Sequence, residues 1–135
     1  MSEPAPLFYD RLGGEAGLRK IVTSFYLHMD TLPEVRVVRD MHPPDLTSSA
    51  EKLFMFLSGW SGGPNLFIEK HGHPRLRARH MPFVIRKSER DQWMICMVAA
   101  VDSVGLAEPV RTEFLHAMLH TADFMRNHPE EGETK

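Results

Sequence analysis

The chain has 135 residues, of which 42% are hydrophobic and 25% are charged, and its formal net charge is −2. A chain of this length and composition is typical of one globular domain with a well-developed core, which excludes a disordered protein. The weak net charge and a sequence pI near 6.4 argue against a nucleic-acid-binding domain, which needs a basic surface.

The two ends of the chain and its longest apolar run bear on localisation. The first ten residues, MSEPAPLFYD, have neither the basic nor the apolar region of a secretory signal. The longest apolar run, Trp93 to Val101, is too short to cross a membrane, and the single cysteine within it, Cys96, is expected to pack as a small hydrophobic residue. We therefore predict one cytoplasmic domain over residues 1–135 with flexible tails at about 1–6 and 129–135, without a membrane or nucleic-acid partner.

Helical periodicity dominates the first half of the chain. A short helix over Pro6 to Arg11 is predicted to end at two glycines, and a second over about Glu15 to Asp30 has apolar side chains at helical spacing. Pro33 to Asp40 is predicted to form a further short helix. Ser48, followed three residues later by Glu51, is a capping-box signal that predicts the start of the next helix.

The second half of the chain begins where that helix ends, in SGWSGGP. Residues 61–73 are predicted to form a long loop, and a loop of that length is usually functional. Ser88 and Asp91 repeat the capping signal and predict a buried central helix over about Glu89 to Val104, followed by a last helix over about Pro109 to Asn127. No segment alternates with the period of a strand, so the predicted fold class is all-α.

The stretch GHPRLRARHMPFVI, residues 72–85, contains candidate metal ligands. Pro74 suits the first position of a helix, and Pro82 disfavours a helical conformation in the residue before it. A short helix from Pro74 to about His80 follows. Leu76 and His80, four residues apart, share one face of that helix, so His80 lies beside an apolar side chain.

Three interpretations of His80 are open. It could be a core histidine without a chemical role, or the nearby His71 and His73 could form a zinc site with a third ligand, although no cysteine is close. It could also be an axial ligand of haem iron, which needs one neutral imidazole in an apolar pocket and cations at the rim for the two propionates. The haem interpretation accounts for the most features together.

Four segments, one of them within residues 72–85, carry a family resemblance: FYDRLGG, FLSGWSGGP, GHPRLRARHMPF and SERDQW. In this order and spacing they resemble the truncated haemoglobins of group II, over about Leu7 to Asn127. The resemblance implies a globin-like fold, truncated to a two-over-two helical sandwich, that encloses haem b, iron protoporphyrin IX.

The resemblance also implies roles for individual residues, position by position. His80 matches the proximal histidine, the only protein ligand of the iron. On the distal side, Tyr26 and Trp93 match residues that donate hydrogen bonds to the ligand, and Ser49 matches the residue of the distal helix nearest to it.

Two positions depart from common members of the family. His42 stands where some members have a second distal tyrosine, with Met41 as a competing alignment. Phe67 stands where a tyrosine is frequent and has no hydroxyl for a haem propionate, so Lys52 and Arg79 are expected to make that contact. The remaining matched positions are apolar walls of the haem pocket: Leu53, Phe56, Leu76, Ile85 and Met97.

These residues together predict a protein that binds dioxygen or another diatomic gas reversibly. The alternative is a haem enzyme with peroxidase-like or nitric oxide dioxygenase activity. The chain has no flavin or nicotinamide fingerprint, so such an enzyme needs a separate reductase as partner. The expected assembly is a monomer or a weak homodimer.

Overall fold

A computed structural model describes residues 7–127, apart from the side chain of Arg77. The two tails predicted to be flexible, 1–6 and 129–135, lie outside these residues. The described part of the chain contains α-helices and one 3-10 helix, Pro33–Val35, joined by turns and bends. In chain order the α-helices are α1 (Phe8–Arg11), α2 (Gly14–Thr31), α3 (Arg36–Asp40), α4 (Thr47–Trp60), α5 (Leu66–His71), α6 (Leu76–His80), α7 (Lys87–Ser103) and α8 (Val110–Phe124).

Two helix pairs form the framework of the molecule. Helix α2 packs against α4, and α7 packs against α8; the most extensive contact, between α2 and α7, joins the two pairs. This is the two-over-two arrangement that the resemblance implied, and the described residues contain no strand, as predicted. No helix in residues 7–127 combines the length and the apolarity that a membrane crossing requires.

The core lies between these helices and consists of large apolar side chains. Phe25 of α2, Phe54 of α4, Met97 of α7 and Phe114 of α8 are each at most 2% exposed. Burial of such a side chain stabilises the fold by about 1.5–3 kcal/mol. Cys96 is also fully buried and packs as a small hydrophobic residue, as predicted. This burial raises the pKa of its thiol to about 11.

The start of α4 differs from the predicted capping box. The helix begins at Thr47, so Ser48 lies within its first turn. The main-chain N–H of Thr47 donates to Asp45 Oδ1 at 2.9 Å, and Glu51 binds Arg19 through two hydrogen bonds, the shorter of 2.6 Å. The predicted capping box was wrong because Arg19 on α2 binds the Glu51 carboxylate, which the sequence pattern assigned to the start of α4.

The predicted loop over residues 61–73 contains α5. Its Phe67 is 6% exposed and belongs to the core cluster, and α5 packs against α4. A helix of six residues is marginal by itself, so this burial stabilises it. The Ser58 hydroxyl also donates to the carbonyl oxygen of Pro64 at 2.8 Å and fixes the turn before α5.

Helix α7 starts two residues earlier than predicted, at Lys87. Glu89, rather than the expected pair of Ser88 and Asp91, caps the helix: its carboxylate accepts the N–H of Arg86 at 2.8 Å and also the hydroxyl of Ser88. Because the helix starts at Lys87, Glu89 is its third residue, the position from which a capping-box carboxylate reaches the N–H of the residue before the helix.

Candidate functional site

His80 is the last residue of α6 and is half-buried. The helix begins at Leu76 rather than at Pro74 as predicted, because Arg75 adopts a left-handed conformation with φ 46°. Nδ1 of His80 lies 2.6 Å from the carbonyl oxygen of Leu76. A carbonyl oxygen only accepts, so Nδ1 carries the proton of the neutral ring and Nε2 keeps its lone pair. This tautomer can bind a metal through Nε2.

The other histidines of this segment are engaged differently. The ring of His71 lies 4.9 Å from that of Phe67, and Nδ1 of His73 accepts the N–H of Arg75 at 3.1 Å. Within residues 7–127 no group of three or more His, Cys, Asp or Glu side chains is arranged to hold a metal ion. The geometry gives no support to the zinc interpretation.

Tyr26 lies on α2 and is 9% exposed. Burial raises the pKa of its phenol well above the ordinary value, so the hydroxyl keeps its proton. This hydroxyl donates to the carbonyl oxygen of Ser49, in the first turn of α4, at 3.3 Å. That distance is long for an O–H···O bond, whose common value is about 2.7–2.8 Å, so the bond is weak.

His42, just after α3, lies against Tyr26, with ring centroids 5.9 Å apart in an edge-to-face arrangement. Its Nδ1 donates to the carbonyl oxygen of Val38 at 2.9 Å, which leaves Nε2 as an acceptor. Burial lowers the pKa of His42 from its ordinary value, and the charge of Arg39 lowers it further, against the opposing effect of the bond to Val38. Met41, the competing position, is half-buried, and the described ring contact with Tyr26 is made by His42.

Trp93 lies on α7, half-buried against the core. Its ring centroid is 5.0 Å from that of Phe25, and Phe25 also contacts Tyr26 at 4.9 Å. Phe25 therefore contacts both Tyr26 and Trp93. The sequence did not indicate this contact, because the helical spacing of Phe25 predicts a core residue and nothing more. Within the described part of the chain, the indole N–H of Trp93 has no hydrogen-bond partner.

The residues predicted as apolar walls are buried or half-buried. Met97 and Phe67 belong to the core cluster, and Leu53 and Phe56 pack against it. Ile85 is 8% exposed and lies outside that cluster, and Leu76 is half-buried on α6. Half-buried aromatic and aliphatic side chains beside a full core form an apolar surface of the kind that lines ligand pockets.

The two predicted rim cations, Lys52 and Arg79, are exposed. The guanidinium carbon of Arg79 lies 5.3 Å from the ring centroid of Phe67, and its Nε donates to the carbonyl oxygen of Pro74 at 2.6 Å. These contacts hold Arg79 at the edge of the apolar region. Cations in that position can bind carboxylates.

Comparison with known proteins identifies the family of this chain. The family model for bacterial-like globins matches residues 7–127. The group 2 truncated hemoglobin YjbI of Bacillus subtilis is 42% identical over 123 residues, which cover 90% of this chain and 89% of the relative. This chain belongs to the group II truncated haemoglobins.

Solved structures of truncated haemoglobins have the same fold. The cold-adapted protein of the Antarctic bacterium Pseudoalteromonas haloplanktis TAC125 matches with a TM-score of 0.87 and 44% identity, over 91% of this chain and 99% of that one. The group II protein of Agrobacterium tumefaciens matches with a TM-score of 0.89 and 38% identity, over 96% and 100%. The globin fold class is confirmed, and family membership implies haem and a small gaseous ligand.

The residues of this truncated haemoglobin fit a haem group. His80 offers one Nε2 lone pair, the predicted wall residues are buried or half-buried, and Arg79 lies against one of them, Phe67. Trp93 has an N–H without a protein acceptor in the described chain. One imidazole, an apolar pocket and cationic partners for carboxylates are the groups that haem requires.

Asn127 contacts the His80 segment, and this contact was not predicted from the sequence. The predicted last helix reached this residue, whereas α8 ends at Phe124. The side-chain nitrogen of Asn127 donates to the carbonyl oxygens of His80 (3.2 Å) and Phe83 (2.8 Å), and its oxygen accepts the N–H of Ile85 (2.9 Å). The partners lie 42 to 47 residues earlier in the chain, so no local pattern could indicate them.

Proposed function

We propose that this truncated haemoglobin binds dioxygen reversibly through haem b whose iron is held by His80. The supporting observation is the 2.6 Å bond from His80 Nδ1 to the Leu76 carbonyl oxygen, which fixes the tautomer and leaves Nε2 for the metal. Haem iron held by a single imidazole supplies one open coordination position for a diatomic gas. Cys96, the single cysteine, is buried in the core, which favours haem without a thioether link to the chain.

On the distal side, Trp93 is proposed as the main hydrogen-bond donor. Its N–H has no acceptor among the described residues, so a polar ligand satisfies it without breaking a protein contact. Tyr26 can donate only by giving up its long bond to the Ser49 carbonyl oxygen. The hydroxyl of Ser49 is a further donor or acceptor. Such donors favour dioxygen, whose outer atom becomes partly negative, over the less polar carbon monoxide.

The haem propionates are proposed to pair with Lys52 and Arg79. Arg79 is held beside Phe67, which supplies apolar surface but no hydroxyl. A pair of exposed cations suits two carboxylates that reach toward solvent.

A separate reductase is proposed to keep the iron ferrous. Each oxidation removes one electron from the iron, and the chain offers no redox group of its own, since Cys96 is single and buried. The segment from Lys70 to Lys87, both ends included, contains six of the 16 Lys and Arg residues and none of the 18 Asp and Glu residues. A reductase with an acidic surface complements this basic segment, which also carries His80.

The assignment of His80 is tested by its replacement with glycine. We expect the purified wild-type protein, supplied with haem, to show a Soret band and an iron–histidine stretching band in the ferrous resonance Raman spectrum. His80→Gly should lose the stretching band and regain a similar one when imidazole is added, because free imidazole can replace the missing side chain.

The matched control is His73→Gly on the same segment. His73 is exposed and its Nδ1 accepts the N–H of Arg75, so its loss should leave the Raman band unchanged. An iron–histidine band that persists in His80→Gly, or disappears in His73→Gly, would reject the proposal.

A further inference from the structure

The short connection from α6 to α7 carries His80 at its start and is held by the C-terminal segment of the chain. Asn127, three residues beyond the end of α8, makes three side-chain hydrogen bonds to this connection, at 2.8, 2.9 and 3.2 Å. Its main-chain N–H adds a fourth, to the carbonyl oxygen of Ile85 at 3.0 Å. The side chain and the main chain of Asn127 thus pair with both polar groups of Ile85.

The connection has few means of its own to fix the position of His80. Helix α6 has five residues, and a helix of that length is marginal without outside contacts. Pro82 has no N–H to donate. The Phe83 N–H donates to the carbonyl oxygen of His80 at 3.0 Å, and the Asn127 amide supplies the second hydrogen bond to that same oxygen. Both lone pairs of the His80 carbonyl are thereby used.

Two separate contacts then determine where the His80 imidazole lies. The bond from Nδ1 to the Leu76 carbonyl oxygen restricts rotation of the ring about its own side-chain bonds. The bonds from Asn127 restrict the main chain on which that ring is mounted. A small displacement of the main chain would carry the whole imidazole ring, and with it Nε2, to a new position. The bond from Nδ1 to Leu76 cannot reverse that displacement.

We propose that Asn127 is a positioning residue that sets the placement of the His80 imidazole and, through it, the strength of the iron–histidine bond and the retention of haem. This inference rests on the proposed role of His80 as the iron ligand. The chemistry of the amide is specific: two N–H bonds point at carbonyl oxygens, and one oxygen accepts an N–H. Groups that orient a metal ligand commonly affect metal affinity by about 10- to 100-fold.

The test uses Asn127→Ala and Asn127→Asp in the haem-loaded protein. We expect Asn127→Ala to shift or broaden the iron–histidine stretching band and to speed haem transfer to an acceptor apoprotein by roughly tenfold or more. Asn127→Asp keeps an acceptor for the Ile85 N–H but places a carboxylate against two carbonyl oxygens. We expect its effect to be at least as large as that of alanine.

The relative size of the effects of Asn127→Ala and Asn127→Asp shows whether the whole amide or only its acceptor oxygen matters. If the acceptor oxygen alone mattered, Asn127→Asp would resemble the wild type. Unchanged Raman bands and haem transfer in Asn127→Ala would overturn the proposal, as would wild-type behaviour of Asn127→Asp. If either variant does not fold, Asn127→Gln, which keeps the amide but moves it by one methylene, should still shift the band, and an unshifted band there would also overturn it.

Thr112→Val is the matched structural control. Its hydroxyl donates to Glu108 at 2.7 Å at the opposite end of α8, so the variant loses stability without touching the His80 segment. We expect unchanged Raman bands and haem transfer, and a shift equal to that of Asn127→Ala would count against a specific role. His80→Gly separates the two proposals. If this variant keeps the iron–histidine band, His80 is not the iron ligand. If it loses the band while the Asn127 variants behave like the wild type, His80 is the ligand and only the positioning role of Asn127 is rejected.

Discussion

Trp93 and Tyr26 differ in how readily they can donate a hydrogen bond to a ligand. The Trp93 N–H has no acceptor within the described residues, whereas the Tyr26 hydroxyl already donates to the Ser49 carbonyl oxygen. We expect Trp93→Phe to raise the dioxygen dissociation rate by about 2- to 10-fold, the equivalent of one net hydrogen bond of about 0.5–1.5 kcal/mol.

Tyr26→Phe should have a smaller effect, since the gain from the ligand is offset by the bond that Tyr26 gives up. Stopped-flow measurement of dissociation in both variants checks this order. Equal rates in wild type and Trp93→Phe, or a larger effect of Tyr26→Phe, would show that the donors are ranked wrongly.

His42 should act as a pH-dependent donor on the distal side. Its pKa is lowered from 6.5, so the ring is neutral at pH 7, and because Nδ1 donates to Val38, Nε2 can only accept. As the pH falls below 6.5 and through the lowered pKa, Nε2 gains a proton and becomes a charged donor. A hydrogen bond to a charged group contributes about 1.5–3 kcal/mol, so we expect dioxygen dissociation to slow by roughly tenfold or more on acidification.

The measurement is the dissociation rate across a pH series, with His42→Phe as the control that keeps an aromatic ring against Tyr26. The acid-dependent slowing should be absent from this variant. A rate that is flat from mildly acidic to mildly alkaline pH in the wild type would contradict the role of His42.

At the scale of elements, sequence periodicity predicted the long helices α2, α4, α7 and α8, because each buries a stripe of apolar side chains. It failed where a distant partner decides the local structure. Phe67 makes α5 helical by packing into the core, and Arg19 removes Glu51 from the expected capping box. The resemblance predicted His80, Tyr26 and Trp93 as site residues, and in the structure Phe25 contacts both Tyr26 and Trp93.

The contacts that orient site residues could not be predicted, because they join parts of the chain that are far apart in sequence. Asn127 reaches the His80 segment, and Gln92 Oε1 accepts the N–H of Val38 at 3.2 Å, which ties α7 to the helix that precedes His42. Neither residue type nor spacing distinguishes such side chains from polar surface.

The turn from α1 into α2 depends on a close approach at Gly17. A Cβ atom added there would lie 2.0 Å from the carbonyl oxygen of Leu12, a main-chain atom that cannot move without shifting the turn. We expect Gly17→Ala to lower the free energy of unfolding by about 1–3 kcal/mol or more, in spite of the better helix propensity of alanine.

Urea unfolding of the two proteins measures this effect. Ala16→Ser, a substitution at the neighbouring exposed position, serves as the control and should change stability by no more than about 0.5 kcal/mol. A Gly17→Ala variant as stable as the wild type would mean that Gly17 does not approach the carbonyl oxygen of Leu12 as closely as described.

The whole molecule carries its charge unevenly. Its net charge is −2, yet the segment from Lys70 to Lys87 contains six basic and no acidic side chains, so the remainder of the chain is strongly acidic. Because this segment leads to the proposed iron ligand, a donor protein with an acidic surface would be attracted to the side on which electrons have to arrive and repelled elsewhere. We expect reduction of the ferric protein by an acidic plant-type ferredoxin to slow steeply with salt.

Substitutions that reverse the charge of basic residues test which part of the surface attracts the donor protein. Arg75→Glu combined with Lys87→Glu reverses two exposed charges of the segment without touching the residues assigned to the haem propionates. We expect this double variant to lower the second-order rate of reduction by about tenfold at low salt. Lys20→Glu combined with Arg36→Glu changes the net charge equally on α2 and α3. Equal slowing in both double variants would mean that net charge alone governs the encounter, whereas slowing confined to the first pair assigns docking to the basic segment. At high salt, where charges more than about 3 Å apart are screened, the difference between the pairs should vanish.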